Sequence, residues 1–232
     1  MNLFGVVLYV SLWSLVSADK GETYKLIAYF SLYYGVVNNL HSSKIGSWIA
    51  DAINSGDLNN YLIKPVNFPL MQAIRGVTVI LVRITVPTII IIAAALIMPS
   101  VFAPLSPLNF LAFLLFTFFG LIIWDFLLIS ISTLAFYGTE IHSTLTVLDL
   151  VINLIKGAYI PAFYFPLWLT KGLSFTFIPY LASYPIKLYQ EAIVPTEFFY
   201  SLVVALIWIG IFSMTTVYFY KQGLKRYEAA GG

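Results

Sequence analysis

Residues 43–75, SKIGSWIADAINSGDLNNYLIKPVNFPLMQAIR, are a polar interruption in a chain that is otherwise apolar enough to sit in lipid. Lys44, Asp51, Asp57, Lys64 and Arg75 all fall within it. Read as a helix, its first half places Ile45, Trp48, Ile49, Ala52 and Ile53 on one face, at i, i+3, i+4, i+7 and i+8. Asp51 and Asn54 fall off that face. Gly56 is expected to stop the helix, and Asp57 to cap a new start through Leu58, Tyr61 and Leu62 that ends at Lys64 and Pro65. The reading is an amphipathic helical hairpin between two membrane spans, where a soluble partner could push on a membrane protein. A helix lying on lipid headgroups is the rival reading, but such helices carry more Lys and Arg than Lys44 alone supplies.

Composition sets the class. The chain is 60% hydrophobic and 9% charged, against about 25% charged in an ordinary soluble domain. That predicts an all-α polytopic membrane protein. At about 20 residues per span, its 232 residues hold six helices in one transmembrane domain and no separate soluble one. A net charge of +2 argues against a nucleic-acid partner. Cysteine is absent, and His41 and His142 are too separate to suggest a metal.

The expected spans are about 1–18, 23–40, 76–98, 108–136, 145–165 and 196–220. A signal peptide is the alternative for the first, because Val16-Ser17-Ala18 resembles a cleavage site, but no basic residue precedes the apolar run. Pro87 is expected to break the third span. Between the last two, Pro161, Pro166, Pro179 and Pro185 break the chain into short re-entrant or interfacial helices. Lys221, Lys225 and Arg226 place the C-terminus, and with six spans the N-terminus too, on the cytoplasmic side of the cytoplasmic membrane.

Ionisable residues inside a membrane commonly mark a substrate path, which makes Arg83, Asp125 and Lys156 candidates. Snorkelling of Arg83, an Asp125–Arg83 pair, and partial pairing of Asp149 with Lys156 are the plain alternatives. Gly157, Pro161 and Pro166 are a gate hinge or simply a helix end. The tyrosines and tryptophan at 159, 164, 168, 180, 184 and 189 read as an interfacial belt, and His41 as an interfacial histidine.

Three stretches resemble the permease subunits of ATP-binding-cassette exporters of the type-2 family: INSGDLNNYLIKPVNFPL at 53–70, KGAYIPAFYFPLWL at 156–169, and the basic, glycine-ended GLKRYEAAGG at 223–232. Family members usually begin with a basic amphipathic helix, whereas this chain starts directly in apolar sequence. The resemblance implies a coupling helix between spans two and three that rests on a separate ATPase, here Ile45, Trp48, Ile49, Asp51, Ala52, Gly56, Asp57, Leu58, Tyr61, Lys64 and Pro65. It implies short outer helices between spans five and six, and a second permease subunit, identical or related. ATP and Mg would be bound by the partner, since this chain has no G-x-x-x-x-G-K-[ST] loop, and no catalytic residue is expected. The cargo reads as lipophilic. An ion-coupled secondary transporter is a second reading, although no internal repeat supports it. A membrane enzyme acting on a lipid-linked substrate, with Asp125, Glu140 and His142 as its only candidates, is a third.

Overall fold

The computed structural model describes residues 3–15, 20–41, 44–65, 67–102, 104, 106–138 and 141–227. Ser43, residues 16–19, Glu140 and the 228–232 tail lie outside them, as do the side chains of Lys44 and Arg83. The described residues are predominantly helical, with no strand among them.

The helices run α1 Leu3–Ser14, α2 Lys20–Leu32, α3 Asn38–Leu40, α4 Lys44–Asn54, α5 Asn59–Leu62, α6 Phe68–Ile97 and α7 Pro99–Phe102. They continue with α8 Pro107–Ser132, α9 Ile141–Ile155, α10 Leu167–Leu173, α11 Ile178–Leu181, α12 Ser183–Gln190 and α13 Pro195–Leu224. A 3-10 stretch, Thr133–Tyr137, extends α8. With that extension, α8 is one of two described helices long and apolar enough to cross a membrane; α13 is the other.

The bundle is arranged around α8, which packs against α4, α6, α9, α11, α12 and α13. Its sequence is apolar on every side; Leu108, Leu111 and Phe118 near its start are exposed, while Phe116, Ile123, Trp124, Leu128 and Ile129 are fully enclosed. By contrast α13 turns Phe199, Val203, Ile207 and Met214 outward.

Three expected boundaries differ. The helix expected from residue 76 starts at Phe68, where the Asn67 side chain accepts from the Leu70 amide at 3.2 Å and Pro69 occupies the first turn. It also runs through Pro87 unbroken; a proline removes one backbone bond, and apolar helices tolerate that where neighbours compensate. Its 30 residues span about 45 Å.

The helix expected over 145–165 instead begins at Ile141 and ends at Ile155. Gly157 stops it, with φ at +99°, a left-handed conformation that side chains rarely adopt. A Cβ there would also collide with the Tyr29 hydroxyl, which donates to the Gly157 carbonyl at 3.0 Å.

The helix from α2 to α3 passes through a π turn, Tyr33–Val37. Such turns displace backbone carbonyls from their ordinary partners. Here the Asn39 side-chain amide donates to the carbonyls of Tyr34 and Gly35, at 3.0 and 2.8 Å.

Candidate functional site

The amphipathic helix forms as its periodicity predicts. In α4, Ile45, Ile49 and Ile53 are buried and Asp51 and Asn54 are exposed. Gly56 takes φ +84° just after it. The cap differs: Asp57 accepts from the Ser55 hydroxyl at 2.8 Å inside the turn, and α5 begins at Asn59 with no side-chain cap. The turn is closed instead by the Leu58 amide, which reaches the Ala52 carbonyl at 2.9 Å.

The buried face is covered by the chain itself. α4 rests on α6, α8, α9 and the 3-10 stretch after α8. At Gly46 a methyl group would come within 2.9 Å of Leu145 and of the Ser132 hydroxyl. Ile45, Ile49 and Leu58 are therefore anchors of the hairpin, and a partner meets other residues. Trp48 and Tyr61 are half-buried and also committed within the chain. The Arg75 guanidinium lies 4.6 Å from the Trp48 ring centre, and the Tyr61 ring packs 4.9 Å from Phe68.

What remains outward on α4 is polar, while past the turn Leu62 and Ile63 are exposed as well. Asp51, Asp57, Lys64 and Pro65 are exposed, with Ala52 and Gly56 half-buried. Between the hairpin and the first turns of α6 lies a cavity of about 350 Å³, with Asp51, Asp57, Lys64, Gln72 and Arg75 in its walls. Burial and the nearby Asp57 carboxylate push up the Tyr227 phenol, and Tyr227 packs 5.7 Å from Phe136, so the chain end after α13 reaches this same region. His142 Nε2 lies 3.0 Å from Asp51 Oδ1, tying the first turn of α9 to α4.

The pathway candidates lie on different sides of α8. Asp125 is buried, with Oδ1 lacking a hydrogen-bond partner among the described residues. Its Oδ2 faces α6 at Gly76, where a methyl group would sit 3.6 Å away. Lys156 is 1% exposed, and its ammonium lies 5.8 Å from the Tyr33 ring centre and 5.5 Å from that of Trp124. A desolvated cation between two ring faces gains about 2 kcal/mol from each well-placed ring. The ion pairs among the described residues do not include Asp149 with Lys156.

His41 is not interfacial. It is buried edge-on to Trp124, at 5.5 Å between ring centres. Asp125 and His142 are not gathered into one centre, since His142 is bonded to the exposed Asp51.

Pro161 and Pro166 each stand immediately before a new short helix, Ala162–Tyr164 and α10, rather than ending α9. Their fixed φ of −56° and −58° suits that position. The expected aromatic belt divides. Trp168 is 74% exposed, but Tyr180, Tyr184 and Tyr189 are core residues. α11 and α12 pack on α8, with Phe116 against Tyr184 at 4.9 Å, and the Tyr189 hydroxyl donates to the Phe102 carbonyl at 2.6 Å.

The described residues thus form an amphipathic hairpin packed at one end of a central apolar helix, with irregular short helices at its other end. Residues 3–231 match the family model described as ABC-2 family transporter protein, and the chain belongs to that family. No curated protein and no solved structure matches it.

Proposed function

We propose that this chain is the membrane-spanning subunit of an ATP-driven exporter, working with a separate ATPase subunit and a second permease subunit, identical or related. The observation that carries the reading is the docking of α4, whose apolar face grips α8 and α6 while its polar edge stays open. In this reading the ATPase, which binds ATP and Mg, meets Asp51, Ala52, Gly56, Asp57, Lys64 and Pro65 on the cytoplasmic side. Closure of the ATPase presses the hairpin, and the buried isoleucines pass the displacement to α8. Arg75 and Trp48 pass it to α6. The outcome is a population shift between inward- and outward-open states. Six crossings with both termini cytoplasmic complete the arrangement. Asp125, Arg83 and Lys156 then bear on the path of a lipophilic cargo, and Gly157, Pro161 and Pro166 on its gate.

A pull-down of the tagged chain from mild detergent tests the reading. A nucleotide-binding subunit should co-purify and be lost when residues 45–62 are replaced by a glycine-serine linker. A stable chain recovered alone, moving substrate without any ATPase, would make it a secondary transporter instead.

A further inference from the structure

The end of the bundle remote from α4 holds a larger cavity, of about 540 Å³. It lies among α10, α11, α12 and the first turns of α13, with an apolar and aromatic wall that includes Phe163, Leu173, Tyr180 and Tyr184. Small-molecule sites occupy about 300–1,000 Å³, are mostly apolar, and carry a few convergent polar groups. This cavity has that size and that make-up.

Its charges are unequally matched. Glu191 and Glu197 line it, as do Lys171 and Lys187. Lys187 is paired with Glu197 at 2.6 Å, and Lys25 of α2, outside the cavity wall, is paired with Glu191 at 2.6 Å. Lys171, in the last turn of α10, has no ion pair among the described residues. Both wall carboxylates are thus taken, and Lys171 is the wall lysine left without one. In the same wall, Thr170, Ser174 and Ser183 donate to the nearby backbone carbonyls of Pro166, Lys171 and Pro179.

We infer that this cavity binds an amphiphile bearing a single negative charge, its acid group at Lys171 and its apolar body against Tyr180 and Tyr184. A cationic amphiphile would have to break an existing pair to find a carboxylate. A neutral one would leave the exposed Lys171 ammonium at the cavity wall without a counter-charge. A bilayer lipid and a free fatty acid share the required chemistry.

The test is a fluorescence titration of the purified full chain, in phosphatidylcholine nanodiscs, with dansyl-undecanoic acid, using empty nanodiscs as the baseline. Saturable binding is expected, displaced by laurate and not by dodecyltrimethylammonium. Lys171→Gln should weaken it roughly fivefold, the effect of one partly exposed charge contact. Thr170→Trp, which fills the cavity from an exposed position, should abolish it. Equal binding by Lys171→Gln, or equal displacement by the ammonium compound, overturns the assignment. Displacement that rises with added phosphatidylglycerol marks a bilayer lipid as occupant, and indifference to it marks a free acid; both satisfy the site. No ATPase is needed, so a negative result leaves the coupling proposal standing, and a negative pull-down leaves this site standing.

Discussion

The two ends of α8 are held in opposite ways. At one end a single amphipathic helix, α4, lays three isoleucines on the bundle and keeps its charges outward. At the other end, α11 and α12 are sunk into the bundle, and their tyrosines make ring contacts with Phe116. Two lysine–glutamate pairs and the Tyr189–Phe102 bond reinforce that end. Under the coupling proposal the first end moves as one piece, while the second keeps its shape around a cavity. The difference lies in how many independent contacts must break before the element leaves.

The largest expected effect is at the stiff end. Phe116 is fully buried and its ring meets Phe119, Tyr180, Tyr184 and Phe198. Phe116→Ala should cost about 3–5 kcal/mol, read as a large fall in the melting temperature of the detergent-solubilised chain. A small fall would mean that the short helices are not tied to α8 through this ring. Next comes Gly157→Val, which forces a β-branched residue into φ +99° and into the Tyr29 hydroxyl. About 2–3 kcal/mol is expected, again from melting. The equivalent change at the other end should be milder. Gly56→Ala strains φ +84° in a half-buried turn and should cost about 1–2 kcal/mol, while reducing co-purification of the ATPase. If Gly56→Ala destabilises as much as Gly157→Val, the two ends are equally rigid and the comparison fails.

How much of this was legible in the sequence follows from the same contrast. The 3.6-residue spacing of Ile45, Ile49 and Ile53 announced a helix with one apolar face, and Gly56 announced its stop. Periodicity says that a face is covered, though, and not by what. Ile45, Ile49 and Leu58 were read as partner contacts because nothing local distinguishes a face turned to the chain's own bundle from one turned to another subunit. The Trp48–Arg75 stacking spans 27 positions, and no short window contains it. At the other end the prolines announce irregular backbone, while nothing local separates Tyr180, Tyr184 and Tyr189 from an interfacial belt, because a belt and a buried wedge use the same residues. The end of α9 was placed too late because an assumed span length outweighed Gly157, which was the better signal. The cavity was invisible, since it forms from segments brought together only by the docking of α11 and α12.

The smallest effect sharpens the comparison most. Asp51 and His142 meet at 3.0 Å with side chains 60% and 55% exposed, and they join α4 to α9. Exposed pairs of this kind contribute about 0.2–1 kcal/mol, and less as salt rises. A double-mutant cycle of Asp51→Asn and His142→Gln on the melting of the chain should therefore give a coupling within that range, fading at high salt. If the hairpin shifts relative to α9 as the coupling proposal requires, the tie must be this weak, because a strong one would have to break in every cycle. A measured coupling well above about 2 kcal/mol, insensitive to salt, would mean that α4 and α9 move as one body, and the lever would then have to lie further inside the bundle.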